Sequence, residues 1–318
     1  MPWFPELLVP HHLEPVPSKD SWQTVPFYSG ILEMTPECLL ASWAGRPVVE
    51  DPRVGQVSGT EEFLDYVRAT REWLALGDAQ VVAVSVLNSA ARSVEEVVLE
   101  LCVAGERHQL PVAVVAEWDL EHRLTSIRIY HSLWPLFPNH DVRVPSISVQ
   151  DQVRLPSVVR QNQRAREAED PDAILATYEA DAVVCVSGNG PHTLNTPQCF
   201  GGPGAAVGAE ELRRLYATPS VPGTKPVVEI RTATDDGRRC AVEFQVTHFS
   251  EPNPDQVGLT VFELGATGRI ARERSYRVTR SASRPADVWS DPVRPPGRIA
   301  RRAHLALVPR ENAELVGD

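Results

Sequence analysis

L-L-A-S-W-A-G-R-P-V-V-E-D (39–51) returns later in the chain as I-L-A-T-Y-E-A-D-A-V-V-C-V (174–186). Leu40, Ala41, Val48 and Val49 fall over Leu175, Ala176, Val183 and Val184, and Trp43 falls over Tyr178. Three further echoes keep the same order. V-S-G-T-E-E-F-L (57–64) is followed by V-G-A-E-E-L (207–212), V-L-E-L-C-V (98–103) by A-V-E-F-Q-V (241–246), and R-L-T-S-I-R-I-Y (123–130) by R-I-A-R-E-R-S-Y (269–276). The offset stays between about 135 and 149 residues. A repeat of that length is a duplicated domain rather than a solenoid unit. The copies part where chemistry is expected: Asp51 in the first stands over Val186 in the second.

A chain of 318 residues accommodates two such domains, each large enough to bury a core without staples. The formal net charge of −11 argues against a broad nucleic-acid surface. Lys19 and Lys225 are the only lysines, so arginine carries nearly all the positive charge. No apolar run reaches membrane-spanning length, and the N-terminus has no basic region or long apolar stretch of a leader. The five cysteines form no C-x-x-C pair, so reduced, mostly buried thiols in a cytoplasmic protein are expected. There is no metal-ligand spacing, no H-E-x-x-H and no G-x-S-x-G element. The expectation is chemistry without a metal or cofactor.

Proline clusters punctuate the chain. They give an extended arm (1–21), a first domain (22–136), a linker (137–154), a second domain (155–280) and a Pro- and Arg-rich tail (281–318). Within each domain a helix comes first, then a short capped helix. Thr35 with Pro36, and Asp170 with Pro171, carry the cap and first-position signals. A short strand follows (48–51), then a helix opening after Gly59 with Thr60 as a cap (60–74). Strand-like stretches at 79–87, 95–103, 111–119 and 124–132 complete the copy. Helices before a run of strands make an α+β domain: a curved, mostly antiparallel sheet with helices on one face. The result is two tandem cones, each able to hold an apolar pocket.

Asp51 is the leading candidate for chemistry. It ends a strand, and Pro52 forces it extended and stops the ladder. At the mouth of an apolar cone its ionised form would be desolvated, raising its pKa into a range useful for proton transfer. A turn aspartate satisfied by backbone N–H groups is the structural alternative. Glu50, by alternation, points the other way, toward solvent. Trp43, Tyr66, Trp73 and Trp118 are core residues or pocket walls. Tyr130 and His131 face opposite sides of the last strand, and Tyr130 is favoured for the pocket because Tyr276 repeats it. Glu100 and Glu243 align as a structural pair, with Arg128 and Arg274 as partners across the sheet. In the second copy, C-V-S-G-N-G-P-H-T-L-N-T-P-Q-C-F-G-G-P-G (185–204) has no acid; His192, Cys199 and His248 are the candidates if that copy has its own pocket.

V-V-E-D-P-R-V-G-Q-V-S-G-T-E-E-F-L (48–64) resembles the V-E-D-P segment of the nuclear transport factor two-like superfamily. The likeness is to its SnoaL-like and ketosteroid-isomerase-like branch, where the aspartate before proline projects into the cone. The closing stretches 119–130 and 263–276 resemble that family's last hairpin. The tandem arrangement also resembles the epoxide hydrolases of polyether biosynthesis. The resemblance implies a second acid near Asp78, an oxyanion-hole tyrosine near Phe27 with Tyr28 one place off, and an oxyanion-hole acid near Val114. The last two positions lack the family's residues, which points away from steroid-type isomerisation. It further implies an internal pseudo-dimer in place of a homodimer. The function expected is cyclisation, isomerisation or epoxide opening of an apolar, polyketide-like intermediate, with the second domain as scaffold. The alternative is a non-catalytic ligand-binding or protein-interaction module.

Overall fold

The computed structural model describes residues 27–103, 105–131, 142–150, 152–187, 206–217, 227–247 and 256–279. His192, Cys199 and His248, the arm and the tail lie outside them. The first half runs α1 (Phe27–Glu33), α2 (Pro36–Leu40), β1 (Val48–Asp51), β2 (Gly55–Ser58), α3 (Thr60–Leu76), β3 (Gln80–Asn88), β4 (Arg92–Val103), β5 (Glu106–Trp118) and β6 (Leu124–Tyr130). The second half repeats the order with α4 (Ser157–Ala168), α5 (Pro171–Leu175), β7 (Tyr178–Ser187), β8 (Ala206–Val207), α6 (Gly208–Tyr216), β9 (Val227–Asp235), β10 (Arg239–Thr247), β11 (Gln256–Leu264) and β12 (Ile270–Thr279). Each half is α+β with one six-stranded mixed sheet, ordered β2-β1-β6-β5-β4-β3 and β8-β7-β12-β11-β10-β9. The only parallel pairings among these strands join β1 to β6 and β7 to β12.

The local signals act as their chemistry demands. Thr35 accepts a hydrogen bond from the Cys38 N–H at 3.3 Å, and Asp170 accepts one from the Ala173 N–H at 3.0 Å, with proline next in each case. Helix α3 is capped differently from expectation. Gly59 is the cap, at φ 101°, and Thr60 is the first helical residue. A side chain at Gly59 would strain that left-handed backbone. Glu62 instead reaches back to accept from the Ser58 N–H at 2.8 Å. Strand β2 was not anticipated; the turn Pro52–Val54 and Gly55 at φ 88° fold it back on β1.

Alternation along the strands builds two faces. Val112, Val114 and Ala116 of β5, with Ile127 and Ile129 of β6, face the helices and form the first cone's core with Val49, Phe63, Val67 and Leu74. Ala113, Val115 and Tyr130 face the other way, onto Ala241, Leu259, Val261 and Tyr276 of the second sheet. The sheets therefore pack back to back, and each large apolar side chain in that layer contributes roughly 1.5–3 kcal/mol.

Two reciprocal ion clusters sit in this layer. Arg128 makes a two-pronged contact to Glu243 at 2.7 and 3.0 Å, and Tyr130 donates to the same carboxylate at 2.6 Å. Arg274 does the same to Glu96 at 2.7 and 2.7 Å, with Tyr276 donating at 2.8 Å. Ser85 and Thr232 complete the two clusters as equivalent donors. Glu96 lies opposite Ala113, which lies opposite Tyr130; Glu243 lies opposite Leu259, which lies opposite Tyr276. Glu96, not Glu100, is thus the counterpart of Glu243. The arginines reach across to the other sheet and also hold an acid of their own, Arg128 donating to Glu117 at 2.9 Å and Arg274 to Glu263 at 3.3 Å. Glu100 is half-buried and accepts from Gln109 at 3.2 Å. The echo of V-L-E-L-C-V was displaced by four residues because an alternating apolar strand matches itself at any even shift.

Among the described residues no helix is long and apolar enough to cross a membrane. Cys185 is disulfide-bonded, which overturns the expectation of reduced thiols at that position; Cys38, Cys102 and Cys240 are free.

Candidate active site

The polar interior of the first cone is assembled from every element around it. Asp51 closes β1 on the cone face, beside Val49, with 2 % of its surface exposed. Its Oδ1 accepts from the Arg53 backbone N–H at 2.8 Å, the turn geometry that an aspartate before a tight bend adopts. Its Oδ2 accepts from Tyr66 Oη at 3.0 Å and from the Arg53 guanidinium at 3.2 Å. Arg53 also donates to Thr70 Oγ1 at 2.8 Å and lies 4.1 Å above the Trp73 ring, a stacked cation–π placement. His131 Nε2 stands 3.5 Å from Asp51 Oδ1.

The expected rise in the Asp51 pKa does not occur. Burial is the largest influence and does push it up. The Arg53 charge, His131 and the Arg53 N–H together outweigh it, and they hold the carboxyl well below the usual carboxylate range. Within the cone, the acid whose pKa rises is Glu95. It lies on the cone face of β4, 1 % exposed, opposite Val114. Burial lifts it to about 7, against the opposing effect of the Phe27 N–H, which donates to its Oε2 at 2.9 Å. Tyr28, on α1, is raised well above its ordinary pKa by burial first and then by Asp51; it also feels Arg53 and Glu95.

Four buried polar atoms among the described residues of this half have no hydrogen-bond partner: Glu95 Oε1, His131 Nδ1, Trp43 Nε1 and, on β3, Asn88 Oδ1. Buried polar atoms are nearly always paired, so Glu95 and His131 are the groups of the first cone left with capacity to engage a ligand. A cleft of about 390 Å³ reaches Asp51 from outside, between the β1–β2 hairpin and segment 142–146.

The other predicted residues divide cleanly. Tyr66 and Trp73 join Asp51 as described. Trp43 packs edge-on against Phe63, and half-buried Trp118 donates to Ser93 at 3.1 Å, away from the cluster. Tyr130 belongs to the inter-sheet layer, and its neighbour His131 takes the cone position. Alternation forced that choice, but repetition of the tyrosine marked packing rather than a pocket. Asp78 does not meet Asp51. It sits at the end of α3 at φ 45°, its side chain 74 % exposed and paired with Arg107 at 2.9 Å. Glu50 does point away from the cone, yet it is half-buried against the linker and accepts from the Ser146 N–H.

Of the residues in this interior, Arg53 and Glu95 were not singled out in the sequence, and His131 and Tyr28 were weighed but passed over. One signal was available. Glu95 and Glu96 are adjacent in an apolar strand, so one of them must enter the cone.

The second cone holds a different set. Arg166 of α4 donates to Glu273 at 2.5 Å, to Tyr178 at 2.7 Å, to Tyr216 at 2.8 Å and to Asn162 at 2.7 Å. Among the described residues no group of three or more His, Cys, Asp or Glu could hold a metal ion.

No protein-family model matches the chain, and no curated protein matches it. Solved structures of nuclear transport factor two-like proteins do. A polyketide cyclase-like protein of Sinorhizobium meliloti is 24 % identical over 38 % of this chain and 94 % of its own, with a TM-score of 0.29. A Mycobacterium tuberculosis protein in complex with estradiol-17β-hemisuccinate is 15 % identical over 37 % of this chain and 89 % of its own, at a TM-score of 0.30. The epoxide hydrolase/cyclase-like enzyme of pyran ring formation in the polyether salinomycin is 18 % identical over 39 % of this chain and 93 % of its own, at 0.29. Likeness at this level concerns architecture and leaves the chemistry to the site.

Proposed function

We propose that the first cone is a cofactor-free acid–base site that cyclises, isomerises or opens the epoxide of an apolar, polyketide-like intermediate. The observation that carries this is a protonatable acid and a carboxylate-held histidine in one buried interior, each with an unpartnered atom. Asp51 stays ionised and fixes the imidazole through Nε2, which leaves Nδ1 as the proton acceptor. Asp51 therefore positions the base rather than serving as the base. Glu95, half-protonated near neutrality, donates through Oε1 to the departing oxygen. Environments that drive two acids to opposite protonation states provide such a division of labour. Tyr28 and Tyr66 keep their protons; Tyr66 spends its own on Asp51, which leaves Tyr28 as the donor to developing negative charge. In epoxide opening, His131 takes the proton of an attacking hydroxyl as its oxygen bonds to carbon. The carbon–oxygen bond of the epoxide breaks, and Glu95 protonates the released alkoxide.

The test is turnover of a panel of aliphatic and polyene hydroxy-epoxides by the full chain, followed by mass spectrometry from pH 5 to 9. Each of Glu95→Gln and His131→Gln should lower the rate by about a hundredfold or more. Undiminished turnover in either variant contradicts the assignment.

A second function has its own support. The Asp51 carboxylate is neutralised by Arg53 and bonded by Tyr66, as in a structural cluster, and the second copy dispenses with it. A binding module predicts saturable uptake of an apolar ligand with no turnover in any variant.

A further inference from the structure

The linker that joins the two sheets is more than a connection. After β6 it returns across the first domain: the Arg143 N–H donates to the Pro52 carbonyl at 3.0 Å. Val142, Val144 and Ile147 pack on the inter-sheet apolar layer. It then reaches the outer edge of the second sheet. The Gln150 N–H donates to the Arg231 carbonyl at 3.0 Å, and the Gln150 side chain accepts from the Ala233 N–H at 3.3 Å. Segment 142–150 is thus a strap that runs from β1 of one domain to the edge strand β9 of the other, and it occupies edge groups that would otherwise invite pairing.

The pseudo-twofold relation defines where a second strap would lie. Arg128 pairs with Glu50 and Arg274 with Cys185, so Cys185 is the counterpart of Glu50. Ser85 and Thr232 serve equivalent glutamates, so Val84 is the counterpart of Arg231. A strap related by symmetry would run from Cys185 to Val84. A groove of about 410 Å³ lies there, lined by Val82, Val84, Val98, Val183, Cys185 and Arg274 among others. Val82, on edge strand β3, is 45 % exposed. Among the described residues nothing covers the backbone edge of β3 as Gln150 covers β9.

The chain beyond β12 stands to the second domain as the linker stands to the first. Its sequence repeats the strap. Asp141-Val142 and Asp287-Val288 are 146 residues apart, the same offset that separates Tyr130 from Tyr276 and Arg128 from Arg274. The linker continues V-R-V-P (142–145); the tail carries V-R-P-P at 293–296, five residues beyond that offset. Both stretches are proline-punctuated.

We propose that residues 285–296 are a second strap that seats in this groove, lays Val288 and Val293 on the valines of β3 and β4, and covers the β3 edge. The occupant is the chain's own tail because it starts from the symmetry-equivalent strand and carries the strap's Asp-Val pair at the equivalent spacing.

The test places the photo-reactive residue benzoylphenylalanine at position 82 of the full chain and maps the products of irradiation by mass spectrometry. Intramolecular cross-links to residues 285–296 are expected. Cross-links confined to the N-terminal arm, to 188–205 or to a second copy, or none at all, overturn the proposal. Hydrogen exchange gives a readout free of the probe. In full-length Val288→Asp/Val293→Asp, the amides of β3 should exchange about tenfold faster than in the parent, while those of β9 stay unchanged. Equal exchange of β3 in the two proteins also overturns it.

Discussion

The two cones are built on one plan and filled with opposite logic. In the second, Arg166 spends its guanidinium on Glu273, two tyrosines and an asparagine. Burial lifts Tyr216 to about 12 against the lowering effect of Arg166, so it keeps its proton near neutrality. In the first, Arg53 fixes Asp51 as an anion, while Glu95 and His131 retain unpartnered atoms in the same interior. Among the described residues, one interior is knit around a single arginine; the other is knit around one acid, with two further groups that keep an unpartnered atom. Duplication supplied the scaffold twice, and the two copies fill it with different polar groups.

The comparison is broken most forcefully at its ion pairs. Asp51→Asn strands the Arg53 charge in a buried site and should cost about 3–5 kcal/mol in denaturant unfolding. The lost stability is the part present above the ordinary aspartate pKa, since the native carboxyl titrates below it. A variant as stable as the parent would mean that Arg53 is rehydrated or that Asp51 is not its partner. The inter-sheet clusters offer a symmetric version. Glu96→Gln and Glu243→Gln should each cost about 3–5 kcal/mol, and the two values should agree within about 1 kcal/mol. Clearly unequal losses would show that the two clusters are not equivalent.

Glu95 sharpens the contrast with a change of opposite sign. Its folded pKa is near 7 against an ordinary 4.5. From pH 4.5 to 7 the unfolded chain ionises while the native state holds its proton, so parent stability falls by roughly 3 kcal/mol across that window and then levels. Glu95→Gln should lack this fall and be the more stable protein at pH 8. A parallel pH dependence in the two proteins would remove the premise. Smaller still, Glu273→Gln in the second cone should leave turnover by the first within about twofold, measured on the same substrate panel; a large loss would make the second cone part of the site. Asp78→Ala, which touches only an exposed Arg107 pair, should shift stability by less than about 0.5 kcal/mol and leave activity intact. A hundredfold loss there would restore it as the second acid.

The architecture was legible because its signals are local and repeated. Thr35-Pro36 and Asp170-Pro171 cap their helices, alternation separates the faces of β5 and β6, and the duplicated order sets two sheets. The burial of Asp51 followed from its place at a strand end before proline. Its protonation state did not, because that depends on Arg53 turning back over Trp73, a contact made by tertiary packing. Glu95 was hidden by its neighbour: two adjacent glutamates serve two faces, and no local rule says which one finds an arginine in the other domain. The register of Glu243 failed for the related reason that apolar alternation looks the same two or four residues along.

The account depends on a protonatable Glu95 in the same cone as an Asp51 whose carboxyl is held well below the usual carboxylate range. Carboxyl carbon NMR of the glutamate-labelled chain, with Glu95→Gln to identify the signal, measures this directly. One glutamate resonance titrating near pH 7, absent from the variant, is the predicted result. If no glutamate carboxyl of the folded protein titrates near pH 7, the acid–base division proposed for the first cone is contradicted.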